Sequence, residues 1–183
     1  MRNHLTRVLE QLAKYNPYIG YCQGLNNIVL FLIEEGFNDK EAFFVMKKIT
    51  EEIIPCDYYS TMNSVLALVR LLCDTLSWTH PKAVKAMKLV AKNNGGEGIS
   101  IITGFAIQWF VCLFTNTNLQ RDMRRCILDH FMLDGMPVLL KAALCYFDTI
   151  EPKIARTQQL GTCATIQNNS TRLSRKLFDN TMT

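Results

Sequence analysis

Between Leu25 and Ile33 the chain holds Leu25, Ile28, Val29, Leu30, Phe31, Leu32 and Ile33 and no charged residue. A helix apolar nearly all round has no face to offer water, so this segment predicts a rod buried at the centre of a packed domain. The run Gly104 to Phe114, interrupted by Gln108, makes the same demand. Both fall well short of the roughly 20 residues that cross a bilayer, so no transmembrane segment is expected. A length of 183 residues with 49% apolar and 20% charged side chains suits one domain with a substantial core. The expected fold class is all-α, an irregular helical domain, because every periodic stretch has helical spacing and no alternating strand is found.

The remaining segments supply the helices that would cover these two rods. His4 to Tyr15 sets Leu5, Val8, Leu9 and Leu12 on one stripe. Asn38 and Glu41 have capping-box spacing ahead of Ala42, Phe43, Val45, Met46 and Ile49, and Ile54-Pro55 ends that helix. Thr61 to Leu76 is a further amphipathic helix. His80-Pro81 opens the next, with Val84, Met87, Val90 and Ala91 inward and Lys82, Lys85, Lys88 and Lys92 outward. Ile99 to Thr115, Leu119 to Asp134 and Pro137 to Ile150 complete the set, with Gly36 and Gly135 as stops. Asn93 to Gly98 reads as a connection rather than a phosphate cradle, since no strand leads into it and no lysine-serine pair follows. Pro152, Gly161 and the polar run Thr162 to Arg175 break the periodicity, leaving one short helix near Leu173 to Phe178. The expected division is therefore a helical domain over 1–150 and a partly helical C-terminal extension over 151–183.

Between the first two helices lies Asn16-Pro17-Tyr18-Ile19-Gly20-Tyr21-Cys22-Gln23-Gly24-Leu25-Asn26. Pro17, Gly20 and Gly24 are poor helix formers, so an irregular turn must carry Tyr21 and Gln23. Tyr21, Cys22, Gln23, Gly24, Leu25 and Asn26 resemble the signature turn of the Rab GTPase-activating domain family, the TBC domain, which reads Tyr-any-Gln-Gly, an apolar residue and Asn. Trp109-Phe110 to Phe114, Arg125, Asp129, Gly135 and the segment through Leu144 follow the family's order too, with Leu128 where that family usually has tryptophan.

The resemblance implies that Gln23 is inserted in trans beside the attacking water of a bound small GTPase, and it places Tyr21, Gly24 and Asn26 in the partner-binding turn. Tyr21 is expected to shape that turn by packing and Asn26 to tie it, while Trp109 and Asp129 are expected to hold helices together. The implied partner is a Rab-type GTPase in its GTP form, which carries its own Mg²⁺ and nucleotide, so no cofactor belongs to this chain. The implied activity is that of an activator of a partner's hydrolysis, in membrane traffic, rather than of an enzyme in its own right. The family's second catalytic group, an arginine in an upstream Ile-x-x-Asp-x-x-Arg motif, has no counterpart here, because Arg2 and Arg7 lack an aspartate three residues before them. The chain thus resembles the C-terminal part of such a domain, missing N-terminal helices, and would expose an apolar patch and dissolve poorly on its own. The alternative is a non-catalytic Rab-binding or scaffold module.

Other chemistry has less support. Seven cysteines in singles, with no Cys-x-x-Cys pair, suit reduced, buried thiols of a cytoplasmic protein, and no apolar leader precedes the first helix. Endomembrane contact is implied only through the GTPase. Cys22 has no orienting motif for a thiol nucleophile, and Cys126 with His130 makes two ligands, not a metal site. A net charge of +4 without a basic block gives no reason to expect nucleic acid. The lysine face of residues 82–92 reads most simply as a solvated surface, with an acidic GTPase or membrane headgroups as the other readings.

Overall fold

The computed structural model describes residues 2–93 and 98–156. Among them lie nine α-helices: α1 (Arg2–Tyr15), α2 (Leu25–Glu34), α3 (Asp39–Lys48), α4 (Asp57–Ser60), α5 (Asn63–Thr79), α6 (Pro81–Asn93), α7 (Gly98–Val111), α8 (Arg121–Asp134) and α9 (Pro137–Arg156). A π-helical turn, Ile49–Ile53, follows α3 directly. No strand occurs among the described residues, in keeping with the all-α expectation.

The apolar rods take the places their composition demands. Leu25, Ile28, Val29, Phe31 and Leu32 of α2 are buried, and α1 and α3 pack against it. Ala106, Trp109, Phe110 and Val111 of α7 are buried in turn, with α5 and α6 alongside. Helix α9 packs on α5, α6 and α8, and the Trp109 ring meets Tyr146 and Phe147 of α9 at centroid separations of 5.0 and 6.2 Å. The ends follow local chemistry. Asn38 accepts from the backbone of Lys40 and Glu41 while Glu41 returns a bond to the Asn38 N–H, a complete capping box. Gly36, at φ 97°, closes α2 as the N–H of Phe37 reaches back to Leu32.

Two expectations about helix ends need correction. Helix α9 does not stop at Ile150 but runs through Pro152 to Arg156. Proline in a helix interior forfeits one backbone bond at a cost of about 3 kcal/mol. Here tertiary contacts outweigh it: Ile150 is fully buried, and the Glu151 carboxylate accepts the Ala83 N–H at 3.2 Å, tying this turn to the start of α6. Helix α7 ends at Val111, short of Thr115, because Leu113 and Phe114 adopt left-handed backbone at φ 48° and 61°. Their side chains are buried, so the core holds a conformation that either residue would avoid in isolation. The short α4 had no periodic signal, being only one turn long. Lys92, Cys163 and the helix expected near Leu173 to Phe178 lie outside the residues whose surroundings are described.

The far end of α2 is tied to α8 by charge. Glu35, whose side chain is only 7% exposed, accepts from Arg121 Nε at 2.5 Å and from Arg125 Nε at 2.6 Å. Removal from water would raise the Glu35 carboxyl, but hydrogen bonds and charge from the two arginines outweigh it and hold it below the ordinary glutamate range. Its stabilising contribution is therefore complete above the unfolded-state value of about 4.3 and is lost as pH falls through the lowered folded-state value. Both arginines are half exposed, which limits the contribution to about 1 kcal/mol. Glu35→Gln should lower the melting midpoint by about 2 to 4 °C at neutral pH. The gap to the parent should close as pH falls below about 4, and a gap independent of pH would show that the charge is not its source.

Candidate functional site

The turn from Asn16 to Gly24 leaves α1 and enters α2. Asn16 organises its first half: its side chain accepts the Ile19 N–H at 3.3 Å and its carbonyl accepts the Gly20 N–H at 3.1 Å. Gly20 then reverses the chain at φ 59°. The second half is fixed from both sides. Asn26 Oδ1 accepts the Gly24 N–H at 3.1 Å, and the Gly24 carbonyl accepts the Asn27 N–H at 3.0 Å, starting α2.

Gly24 is buried against the last turn of α7. A Cβ there would stand 2.4 Å from Val111 Cγ1, 3.3 Å from the Val111 carbonyl and 3.4 Å from Cys112 Sγ, and its φ of 124° disfavours any L side chain. The floor beneath it is itself held. The Tyr58 hydroxyl donates at 2.8 Å to the Phe110 carbonyl, which also accepts the Leu113 N–H at 3.1 Å, and the Tyr59 hydroxyl donates at 3.1 Å to the Val111 carbonyl, an acceptor that the helix end leaves open. Burial pushes both phenols well above their ordinary range, so they remain protonated donors. The Asn27 amide reaches Cys112 Sγ at 3.4 Å, closing the junction of α2 with α7.

Gln23 therefore stands on a rigid base while its own side chain is exposed, and among the described residues its amide has no hydrogen-bond partner. A neutral amide of this kind offers two donors and an acceptor, which suits it to orienting a water or a polar group brought by another molecule. Cys22 beside it is not an activated thiol. Burial raises the Cys22 pKa, and the thiol points its proton at the Gln23 carbonyl, 3.6 Å away. No group of three or more metal-ligating side chains occurs among the described residues.

The sequence motif brings Tyr21, Gln23, Gly24 and Asn26 together, as contiguity requires, but not every side chain behaves as expected. Tyr21 does not pack the turn; it is 61% exposed, whereas Gly24 and Leu25 are buried. Asp129 is exposed on α8 and ties no helix to another among the described residues, whereas Trp109 does. Arg125 serves Glu35, at the opposite end of α2 from Gln23. The cysteines are not uniformly buried either: Cys112 is, Cys56 is exposed, and Cys22, Cys73, Cys126 and Cys145 are half-buried. Tyr58, Tyr59, Asn27 and Cys112 escaped the sequence reading because each meets the turn, or the floor beneath it, only through the tertiary fold, and no local pattern marks them.

Residues 1–155 match the Rab-GTPase-TBC domain family. The chain belongs to that family. This TBC domain is 32% identical over 158 residues to human TBC1 domain family member 2A, covering 84% of the chain and 16% of that relative. It is 29% identical over 145 residues to growth hormone-regulated TBC protein 1 of Xenopus laevis, covering 79% and 40%. The chain thus spans about a sixth of the human relative and less than half of the frog one. Its fold is that of the crystal structure of the Chlamydomonas flagellar RabGAP TBC domain, with a TM-score of 0.78 at 24% identity, covering 98% of this chain and 58% of that one. Among the described residues of the TBC domain no helix is long and apolar enough to cross a membrane.

Proposed function

We propose that this TBC domain accelerates GTP hydrolysis on a GTP-bound Rab-type GTPase, with Gln23 entering the partner's site to orient the attacking water. One observation carries the reading: the Gln23 amide is exposed and has no partner among the described residues, while the turn beneath it is pinned by Gly24, Asn26 and Asn27. Phosphoryl transfer asks for little covalent chemistry, so a protein that supplies a positioned amide and electrostatic stabilisation supplies what the reaction needs. The GTPase brings Mg²⁺ and the nucleotide. Exposed Tyr21, two residues before Gln23, offers an aromatic contact to the incoming surface, and Gly24 and Asn26 act by fixing the turn.

The charge that spreads over the transferred phosphoryl group calls for a cation as well, and the Ile-x-x-Asp-x-x-Arg motif that bears it in this family does not occur within the 183 residues. The second reading is a Rab-binding module that holds the GTPase without speeding hydrolysis. Single-turnover hydrolysis by a panel of GTP-loaded Rab proteins separates the two. Activation predicts a saturable rise in rate for at least one of them; saturable binding with an unchanged rate throughout the panel establishes the binding module instead.

A further inference from the structure

We propose that the outer face of α6, continued by Trp78 at the end of α5, is a docking surface for an anionic lipid bilayer. Lys82, Lys85 and Lys88 are exposed and follow one another at helical i, i+3 spacing, and Leu89, 53% exposed, stands one turn from Lys85. Trp78 is 87% exposed, so nearly all of a large amphipathic ring is in water. Between the two helices runs an open groove of about 430 Å³ lined by Ser77, Pro81, Val84, Lys85, Lys88 and Leu89.

No described acidic side chain pairs with any of the three lysines. The two carboxylates that α9 brings to the start of α6 are already engaged: Asp148 accepts from His80 Nε2 at 3.0 Å and Glu151 from the Ala83 N–H. Asp74, one turn before Trp78, is the exposed acid on α5, and Arg70 stands a turn before it. These carboxylates keep their charge, but the three lysines and Arg70 outnumber Asp74, Asp148 and Glu151, so the stripe stays net positive, with Trp78 and Leu89 exposed on the same two helices.

This chemistry fits a lipid surface better than a protein one. Lysines are depleted from protein interfaces, where arginine and buried aromatic anchors dominate. A lysine is a strongly hydrated point charge on a flexible stem, well matched to headgroups that impose no fixed geometry. Tryptophan settles at the headgroup level with its ring toward the acyl chains and its N–H toward water. Each lysine near an anionic surface contributes about a 5-fold gain in binding, so the three together give about 100-fold.

The proposal does not rest on the GTPase reading, and no GTPase enters its test. Sedimentation of the protein with phosphatidylserine-containing vesicles is compared with neutral phosphatidylcholine vesicles, while tryptophan emission is recorded. The chain has two tryptophans, and Trp109 is already buried in the core, so a blue shift on binding reports Trp78. Binding selective for the anionic vesicles, weakened by salt and accompanied by that shift, is the expected result. The combined variant Lys82→Ala, Lys85→Ala, Lys88→Ala should bind about 100-fold more weakly, and Trp78→Ala should lose the shift. Because all four side chains are exposed, unchanged circular dichroism and melting confirm that the variants fold. No binding, equal binding to neutral vesicles, or undiminished binding by the lysine variant overturns the proposal.

Discussion

Replacing Gln23 by alanine should lower the Rab hydrolysis rate stimulated by this domain about 100-fold, with affinity for the GTPase little changed. That is the scale lost when a reacting atom is displaced by about 1 Å from its productive position, which is what an unoriented water amounts to. The side chain is exposed and has no described partner, so its removal should leave stability within about 0.5 kcal/mol. An interaction made only in the transition state lowers kcat and kcat/KM together, and this pattern separates an orienting amide from a docking contact. Gln23→Asn, which withdraws the amide by one methylene, should fall near the alanine variant. Gln23→Glu should be no better, since it brings a negative charge toward the γ-phosphate. A Gln23→Ala protein that stimulates hydrolysis as the parent does would remove Gln23 from the mechanism.

The parts of this fold that were legible in the sequence are those whose cause is local or periodic. Seven apolar residues between Leu25 and Ile33 demanded a buried rod, and five of them are buried with Leu30 and Ile33 half-buried, while Asn38 with Glu41 announced a helix start by spacing alone. The turn was legible as irregular because Pro17, Gly20 and Gly24 cannot sustain a helix, and the family was legible because the residues of that turn resemble its signature. What escaped was set by partners distant in the chain. Pro152 looked like a stop, but Glu151 finds the Ala83 N–H 68 residues away and the helix continues. The left-handed pair Leu113 and Phe114 carries no glycine to advertise it. Tyr58 and Tyr59 cap a helix end 52 residues downstream, an association invisible to any window of sequence. Tyr21 misled in the opposite way: an aromatic ring near apolar residues suggests packing, and only the fold shows Tyr21 exposed while Gly24 and Leu25 are buried.

Gly24→Ala should be the most damaging single-methyl substitution at the site, costing about 3 kcal/mol of folding stability. Two separate penalties contribute. A backbone at φ 124° is strained for any residue with a Cβ, by about 1 to 3 kcal/mol, and the new methyl would meet Val111 Cγ1 at 2.4 Å, an overlap of similar cost. The neighbour cannot simply swing aside. A β-branched valine has few rotamers, and the Tyr59 hydroxyl holds the Val111 carbonyl that lies 3.3 Å from the new atom. The two penalties separate in a Val111→Ala background, where the Cγ1 overlap is gone and the backbone strain stays. Denaturant unfolding of the four proteins in that cycle should give a favourable coupling of about 1 to 2 kcal/mol between the substitutions. Strict additivity would show that the overlap relaxes at no cost and that φ alone makes glycine necessary. Because Gln23 precedes Gly24 directly, relief of the overlap by moving the turn away from α7 would carry the amide with it. Stimulated hydrolysis should then fall in Gly24→Ala by more than the folded fraction accounts for, and recover in part with Val111→Ala.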